Sequence, residues 1–255
     1  MQSLWAKLPL RIKPVELDSK SLKYGSFSAL MFAAITLFQI LSDLLGLSSG
    51  NTVAASTALL SAFVGLIILI LLLGGVALLL LSFNALSKSY GEKKIINNLL
   101  IGIFGVWVVA LIIIVVGGVS IAFSSLQGLN SSALSNQTLV QSRINANLSS
   151  GSNGMMTYVI LAGIIPPLAL IVTMYFLMSS LNIIEQKSKV PKFAIAGKML
   201  LLSAAISFIV SAIVLLLLNN SSALIIGELG ALIGSVIALY GWMQLYYSFQ
   251  QLSGQ

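Results

Sequence analysis

The stretch VGLIILILLLGGVALLLLSF, residues 64 to 83, runs for 20 positions without a charge and with a single hydroxyl. About 20 apolar residues rising 1.5 Å each cross a hydrocarbon layer about 30 Å thick, and a helix satisfies all its backbone polar groups within itself. The stretch therefore reads as a membrane-spanning helix, the core of a longer apolar run over 53–83 that can tilt or project beyond the bilayer. Five more such runs lie at 27–47, 98–123, 156–181, 199–218 and 223–245. The expected fold is an all-α integral membrane protein with six transmembrane helices.

Composition agrees with this reading. Of 255 residues, 58% are hydrophobic and only 7% are charged, whereas a soluble domain is about one quarter charged. The chain lacks the polar surface to stay in water. About 24 polar and basic residues precede the first apolar run, so that run is read as a span and not as a cleaved signal. The net charge of +7 is spread over loops beside the spans, which suits anionic lipid headgroups better than nucleic acid. There is no Cys and no His. Thiolate metal sites, iron–sulfur clusters, disulfides and cysteine nucleophiles are excluded, and the commonest metal ligand and general base is missing. No catalytic residue and no cofactor is expected of this chain.

With the N-terminus inside, twelve of the thirteen basic residues fall on one side: Lys7, Arg11, Lys13, Lys20, Lys23, Lys88, Lys93, Lys94, Lys187, Lys189, Lys192 and Lys198. Arg143 alone lies outside. This bias predicts cytoplasmic N- and C-termini in a plasma membrane. Five candidate glycosylation sequons, at Asn130, Asn136, Asn147, Asn219 and Asn220, all fall in the segments assigned outside. The chain divides into an interfacial arm at 1–26, helices 1 to 3 within 27–123, a Ser/Asn-rich outer loop at 124–155, helices 4 to 6 within 156–250 and a tail at 251–255. Pro9 and Pro14 forbid one continuous helix in the arm, and a helix start is expected near Asp18 and Ser19.

The ends of the even helices resemble one another: Ser82-Phe83-Asn84-Ala85-Leu86-Ser87, Ser180-Leu181-Asn182-Ile183-Ile184-Glu185 and Ser248-Phe249-Gln250-Gln251-Leu252-Ser253. Each reads as the chain leaving the membrane. They delimit three in–out–in hairpins, about 23–87, 94–187 and 192–252, which point to three tandem helical hairpins. A shared demand on membrane-exit segments is the alternative origin of the likeness. Trp242, Tyr246, Tyr247, Tyr24 and Tyr90 are read as an aromatic belt at the inner interface.

Two carboxylates fall inside spans, Asp43 on helix 1 and Glu228 on helix 6, each about 6 to 9 Å below the outer boundary. Thr36, Gln39 and Asp43 follow one another at steps of three and four on one helix face. Intramembrane acids are costly and mark ion or proton sites, so Asp43, Glu228 and Gln39 form a candidate ion site. The competing reading is structural, with each acid reaching interfacial water or Arg143. Helix 6 carries Gly227, Ala231, Gly234, Ala238 and Gly241 at alternating steps of four and three, a seam that lets two helices approach closely. Ser203, Ser207 and Ser211 form a similar stripe on helix 5. Pro166-Pro167 is expected to disrupt backbone hydrogen bonding in helix 4 and bend it.

The repeated exit motifs followed by Tyr90 or basic residues, the absent Cys and the Ser/Asn-rich outer loop resemble an uncharacterised family of multispanning archaeal membrane proteins from thermoacidophiles. The resemblance covers most of the chain, offers no catalytic residues to carry over and implies an archaeal cell membrane. The function expected is a non-catalytic accessory or scaffold subunit that self-associates or docks other membrane subunits through its seams. The alternative is a small ion- or proton-coupled transporter or channel using Asp43 and Glu228.

Overall fold

A computed structural model describes residues 19–49, 57–126, 153–217 and 222–254. The described residues form six helices and contain no strand. These are α1 (Ser19–Ser49), α2 (Thr57–Tyr90), α3 (94–126), α4 (Asn153–Ser188), α5 (Lys192–Leu216) and α6 (Ser222–Ser253). Within α3 a π-helical turn, Ile101–Gly105, separates Lys94–Leu100 from Val106–Leu126. All six are long and apolar enough to cross a membrane. Helix α4 runs on through Pro166 and Pro167, although their missing N–H groups take away two i→i−4 bonds.

The turns at the lysine-rich end are built locally. After α2, Gly91 adopts φ 68°, a left-handed conformation that costs a residue with a Cβ about 1–2 kcal/mol. There the Gly91 N–H reaches the Lys88 carbonyl and the Glu92 N–H reaches the Ser87 carbonyl, closing the last turn of the helix. Lys189 takes the same role after α4 at φ 60°, its N–H donating to the Glu185 carbonyl at 2.7 Å. Lys187 pairs with Glu92 at 2.9 Å across the two turns. Such an exposed pair contributes at most about 1 kcal/mol.

The helices are arranged in chain order as a ring. Each packs on its neighbours, and α6 returns to α1. Helices α2 and α3 meet mainly near their shared turn, while Leu66, Leu69, Ile70 and Leu73 of α2 and Trp107, Val108 and Val109 of α3 stand exposed, as lipid-facing side chains do.

The best-packed part of the molecule is the lysine-rich end, formed by the segments expected to lead the chain out of the membrane. These segments are helical, and they are the core. Leu79, Ser82, Phe83 and Leu86 on α2 match Leu177, Ser180, Leu181 and Ile184 on α4, and Leu245, Ser248, Phe249 and Leu252 on α6. All twelve are no more than 4% exposed. The spacing i, i+3, i+4, i+7 puts each quartet on one helix face. The odd helices answer with Leu22, Ser26 and Ala29 on α1, Ile95, Leu99 and Gly102 on α3, and Phe193, Gly197 and Leu200 on α5, all buried. The three hairpins thus match in burial, position for position. Lys23, Lys94 and Lys192 neighbour Leu22, Ile95 and Phe193 in sequence, so the core begins at the lysine-rich ends of the helices.

Within lipid there is no hydrophobic drive between helices, so close backbone approach and interhelical hydrogen bonds hold the hairpins. Ser28 Oγ donates to the Gly75 carbonyl at 2.8 Å, Thr173 Oγ1 to Gly102 at 2.8 Å, Ser180 Oγ to Ile95 at 2.9 Å and Ser203 Oγ to Gly234 at 2.8 Å. Trp242 departs from the expected belt. It is buried and stacked on Phe32, with ring centroids 4.5 Å apart, because its position on α6 faces α1 and not lipid.

Gly25 is where α1 enters the core. A Cβ there would stand 2.5 Å from the Phe249 ring and 2.6 Å from Ser82 Oγ. Gly25→Ala should therefore destabilise the protein by about 1–3 kcal/mol through overpacking, read as a lowered midpoint of unfolding in detergent. Gly65, which faces open space, is the control: Gly65→Ala should leave the midpoint unchanged or raise it, since alanine is the better helix former.

Candidate functional site

Above the Phe32–Trp242 stack, a cavity of about 310 Å³ opens between α1, α4, α5 and α6. Helix α1 contributes Ile35, Thr36 and Gln39; α4 contributes Leu170 and Met174. From α5 come Leu200, Ser203, Ala204 and Ser207, and from α6 Ser235, Ala238 and Trp242. The lining is apolar on the α4 side and carries hydroxyl and amide groups from the other three helices.

The hydrogen bonds of these groups decide what the cavity offers. A carbonyl oxygen only accepts, so each hydroxyl bonded to one has spent its proton. Thr36 Oγ1 donates to the Phe32 carbonyl at 2.8 Å, Ser203 Oγ to Gly234 at 2.8 Å, and Ser207 Oγ to Ser203 at 3.1 Å. Gln39 Nε2 donates to Asp43 Oδ1 at 2.7 Å, leaving Oε1 as an acceptor. Asp43 Oδ2 is buried with no hydrogen-bond partner among the described residues. Ionised, it offers further acceptor capacity. What remains on the cavity wall is the oxygen lone pairs of Thr36, Ser203, Ser207 and Gln39, beside the Ser235 hydroxyl, one Gln39 N–H and the Trp242 indole N–H; Asp43 meets the cavity only through Gln39.

Asp43 lies one helical turn from Gln39, away from the lysine-rich end. Contacts between α1 and α6 set their antiparallel register: Gly25 meets Phe249 and Phe32 stacks on Trp242. The same register sets Asp43 level with Ala231, about 4.5 Å of helical rise from Glu228. Trp242, Ser235 and Glu228 recur every seven residues on α6, and Phe32, Thr36, Gln39 and Asp43 step by four, three and four on α1. The two carboxylates therefore stand at similar heights on adjacent helices. Glu228 is half-buried.

The glycines of the α6 seam all face one neighbour. Gly227 faces Val214, Gly230 faces Val210, Gly234 faces Ser203 and Ser207, and Gly241 faces Leu200, all on α5. Ala231 and Ala238 are half-buried, and Ala238 lines the cavity. Gly230, absent from the expected seam because it falls outside the four–three alternation, makes the tightest approach. This seam is occupied by the chain's own α5. Asn130, Asn136, Asn147, Asn219, Asn220 and Arg143 lie outside the described residues.

The cavity itself was not foreseen. Its signal is present in the sequence as Thr36-Gln39 on α1, Ser203-Ser207 on α5 and Ser235 one heptad from Trp242 on α6, but each stripe alone resembles ordinary helix packing.

A Cβ on Gly230 cannot be placed without moving the Val210 side chain. Gly230→Ala should cost about 1–3 kcal/mol, and Val210→Ala in the same chain should recover part of it, with a coupling of about 1 kcal/mol or more. Gly234→Ala, whose Cβ would meet Ser207 Oγ at an ordinary 3.4 Å, should stay within about 0.5 kcal/mol. Thermal unfolding of the four variants in detergent measures the cycle.

No curated protein matches the chain, and no solved structure does. The model of one protein family, described as proteins of unknown function and designated DUF996, matches residues 71–220. That segment runs from the middle of α2 to the end of α5 and covers more than half of the chain, so the protein belongs to the DUF996 family.

Proposed function

We infer that this multi-pass membrane protein is non-catalytic and carries a small solute or ion across its bilayer, with the cavity between α1, α4, α5 and α6 as the binding site. The observation that supports this reading is the cavity's chemistry. Hydroxyls inside a bundle are costly beside lipid, and here the buried Ser203 and the half-buried Thr36, Ser207 and Ser235 surround about 310 Å³ of space, with the exposed Gln39 also lining it. The Phe32–Trp242 stack and the buried core behind it close the cavity toward the lysine-rich end. Access from the opposite end, where Asp43 and Glu228 lie, fits one state of an alternating-access cycle.

The accessory or scaffold reading rests on small-residue seams as docking faces. It has less support, because the glycines of α6 already pack on α5. The basic asymmetry supports a cell membrane with both termini cytoplasmic, which would make the Asp43 end the outer one.

Two measurements test the proposal. Reconstituted in proteoliposomes, the protein should pass small cations or protons, and Asp43→Asn combined with Glu228→Gln should reduce that flux at least about tenfold with folding intact. Equal flux in the wild type, the double variant and empty vesicles would overturn transport. For sidedness, the absence of native cysteine allows single probes: Ser135→Cys should react with an impermeant reagent in intact cells and Ser89→Cys should not. The reverse pattern would invert the topology.

A further inference from the structure

We propose that the cavity binds a short-chain organic ammonium, a protonated amine with a small apolar body. This rests on the cavity being the solute site, and it adds the chemical class. Three observations carry it. The first is the donor count: Thr36, Ser203 and Ser207 have each given their hydroxyl proton to a main-chain carbonyl, and Gln39 directs one amide N–H to Asp43. A ligand made of acceptors would meet the Ser235 hydroxyl, the remaining Gln39 N–H and the Trp242 indole N–H, whereas an ammonium group brings up to three N–H donors to the lone pairs of Thr36, Ser203, Ser207 and Gln39.

The second is the surroundings of those oxygens. Trp242 lines the cavity, and indole is the best aromatic partner for a cation. The α4 side supplies an apolar wall suited to a short alkyl chain. A bare alkali ion could meet the indole but would make no use of the apolar wall.

The third is the field. Among the described residues no basic side chain lines the cavity, and every described lysine belongs to the opposite, lysine-rich end or the turns there. The carboxylates on the far half are Asp43, whose Oδ2 has no partner among the described residues, and Glu228. This charge distribution draws a cation toward the cavity and repels an anion.

The absence of native cysteine makes a direct test available in the full chain, reconstituted in lipid nanodiscs. Ser235→Cys, and Ser207→Cys as a second probe, are treated with aminoethyl methanethiosulfonate, its sulfonatoethyl counterpart and the neutral methyl reagent. Each rate is normalised to that of a free thiol. The aminoethyl reagent, itself an ammonium, should react at least about tenfold faster than the sulfonate. Butylammonium chloride should slow the reaction, and sodium or potassium chloride at equal concentration should not. Thr36→Val, which removes one acceptor without changing shape, and Asp43→Asn should each weaken the protection severalfold.

Equal rates for the two charged reagents, or protection by sodium equal to that by butylammonium, would overturn the ammonium site while leaving a solute cavity standing. Failure of all three reagents at both positions would show the cavity to be closed, and would overturn the solute-site reading together with the ligand proposed for it.

Discussion

The close approach of α1 to α6 and α2 at Gly25 is the contact on which the rest of the arrangement depends. Hydrogen is the only side chain that fits there, because the Phe249 ring and Ser82 Oγ occupy the space a Cβ would take. The contact closes the ring between the first hairpin and the last. It also fixes the register that stacks Phe32 on Trp242 seven residues further along and sets Thr36 and Gln39 at the cavity. A shift of α1 by one residue would rotate its polar face by about 100° and carry these side chains away from the cavity.

The position of the best-packed core toward the lysine-rich end has a physical reason. In the hydrocarbon layer a leucine gains little by leaving lipid for protein. Toward the lysine-rich ends, nearer to water, the drive to bury Leu86, Ile184, Val190 and Leu252 returns. The bundle is therefore held most firmly at its lysine-rich end. In the lipid its helices are joined by close glycine contacts and hydroxyl-to-carbonyl bonds such as Ser28 to Gly75 and Ser203 to Gly234. That division leaves room for a cavity above the core without loss of the main tether.

The hydroxyl-to-carbonyl bonds link stability to chemistry. Each serine or threonine that secures itself to a main-chain carbonyl gives up its proton and keeps its lone pairs. A helix bundle stabilised in this way presents acceptors wherever such groups face an open space. In this protein the space lies next to a Gln39–Asp43 pair and an indole ring, so an arrangement required by the solvent also favours a positively charged ligand.

Length, hydropathy and charge determined the architecture from the sequence alone: six helices, each with enough apolar residues to cross, because lipid leaves a backbone no alternative to full internal hydrogen bonding. The repeated Ser-[Phe/Leu]-x-x-[Leu/Ile] segments were legible as equivalent, although their burial was not, since a helix end facing water and one facing neighbouring helices carry similar residues. Gly227, Gly234 and Gly241 were legible as a packing face; which helix filled that face was not. Asp43, Gln39 and Glu228 stood out individually, as charges and amides in apolar runs must. Tertiary structure alone decided that Thr36, Gln39, Ser203, Ser207, Ser235 and Trp242 share one cavity, that Gly230 makes the tightest contact and that Trp242 is inside. A helical pattern fixes which residues share a face, but the neighbour each face meets is set by ring order and register, and those depend on contacts between residues far apart in the chain, such as Gly25 with Phe249.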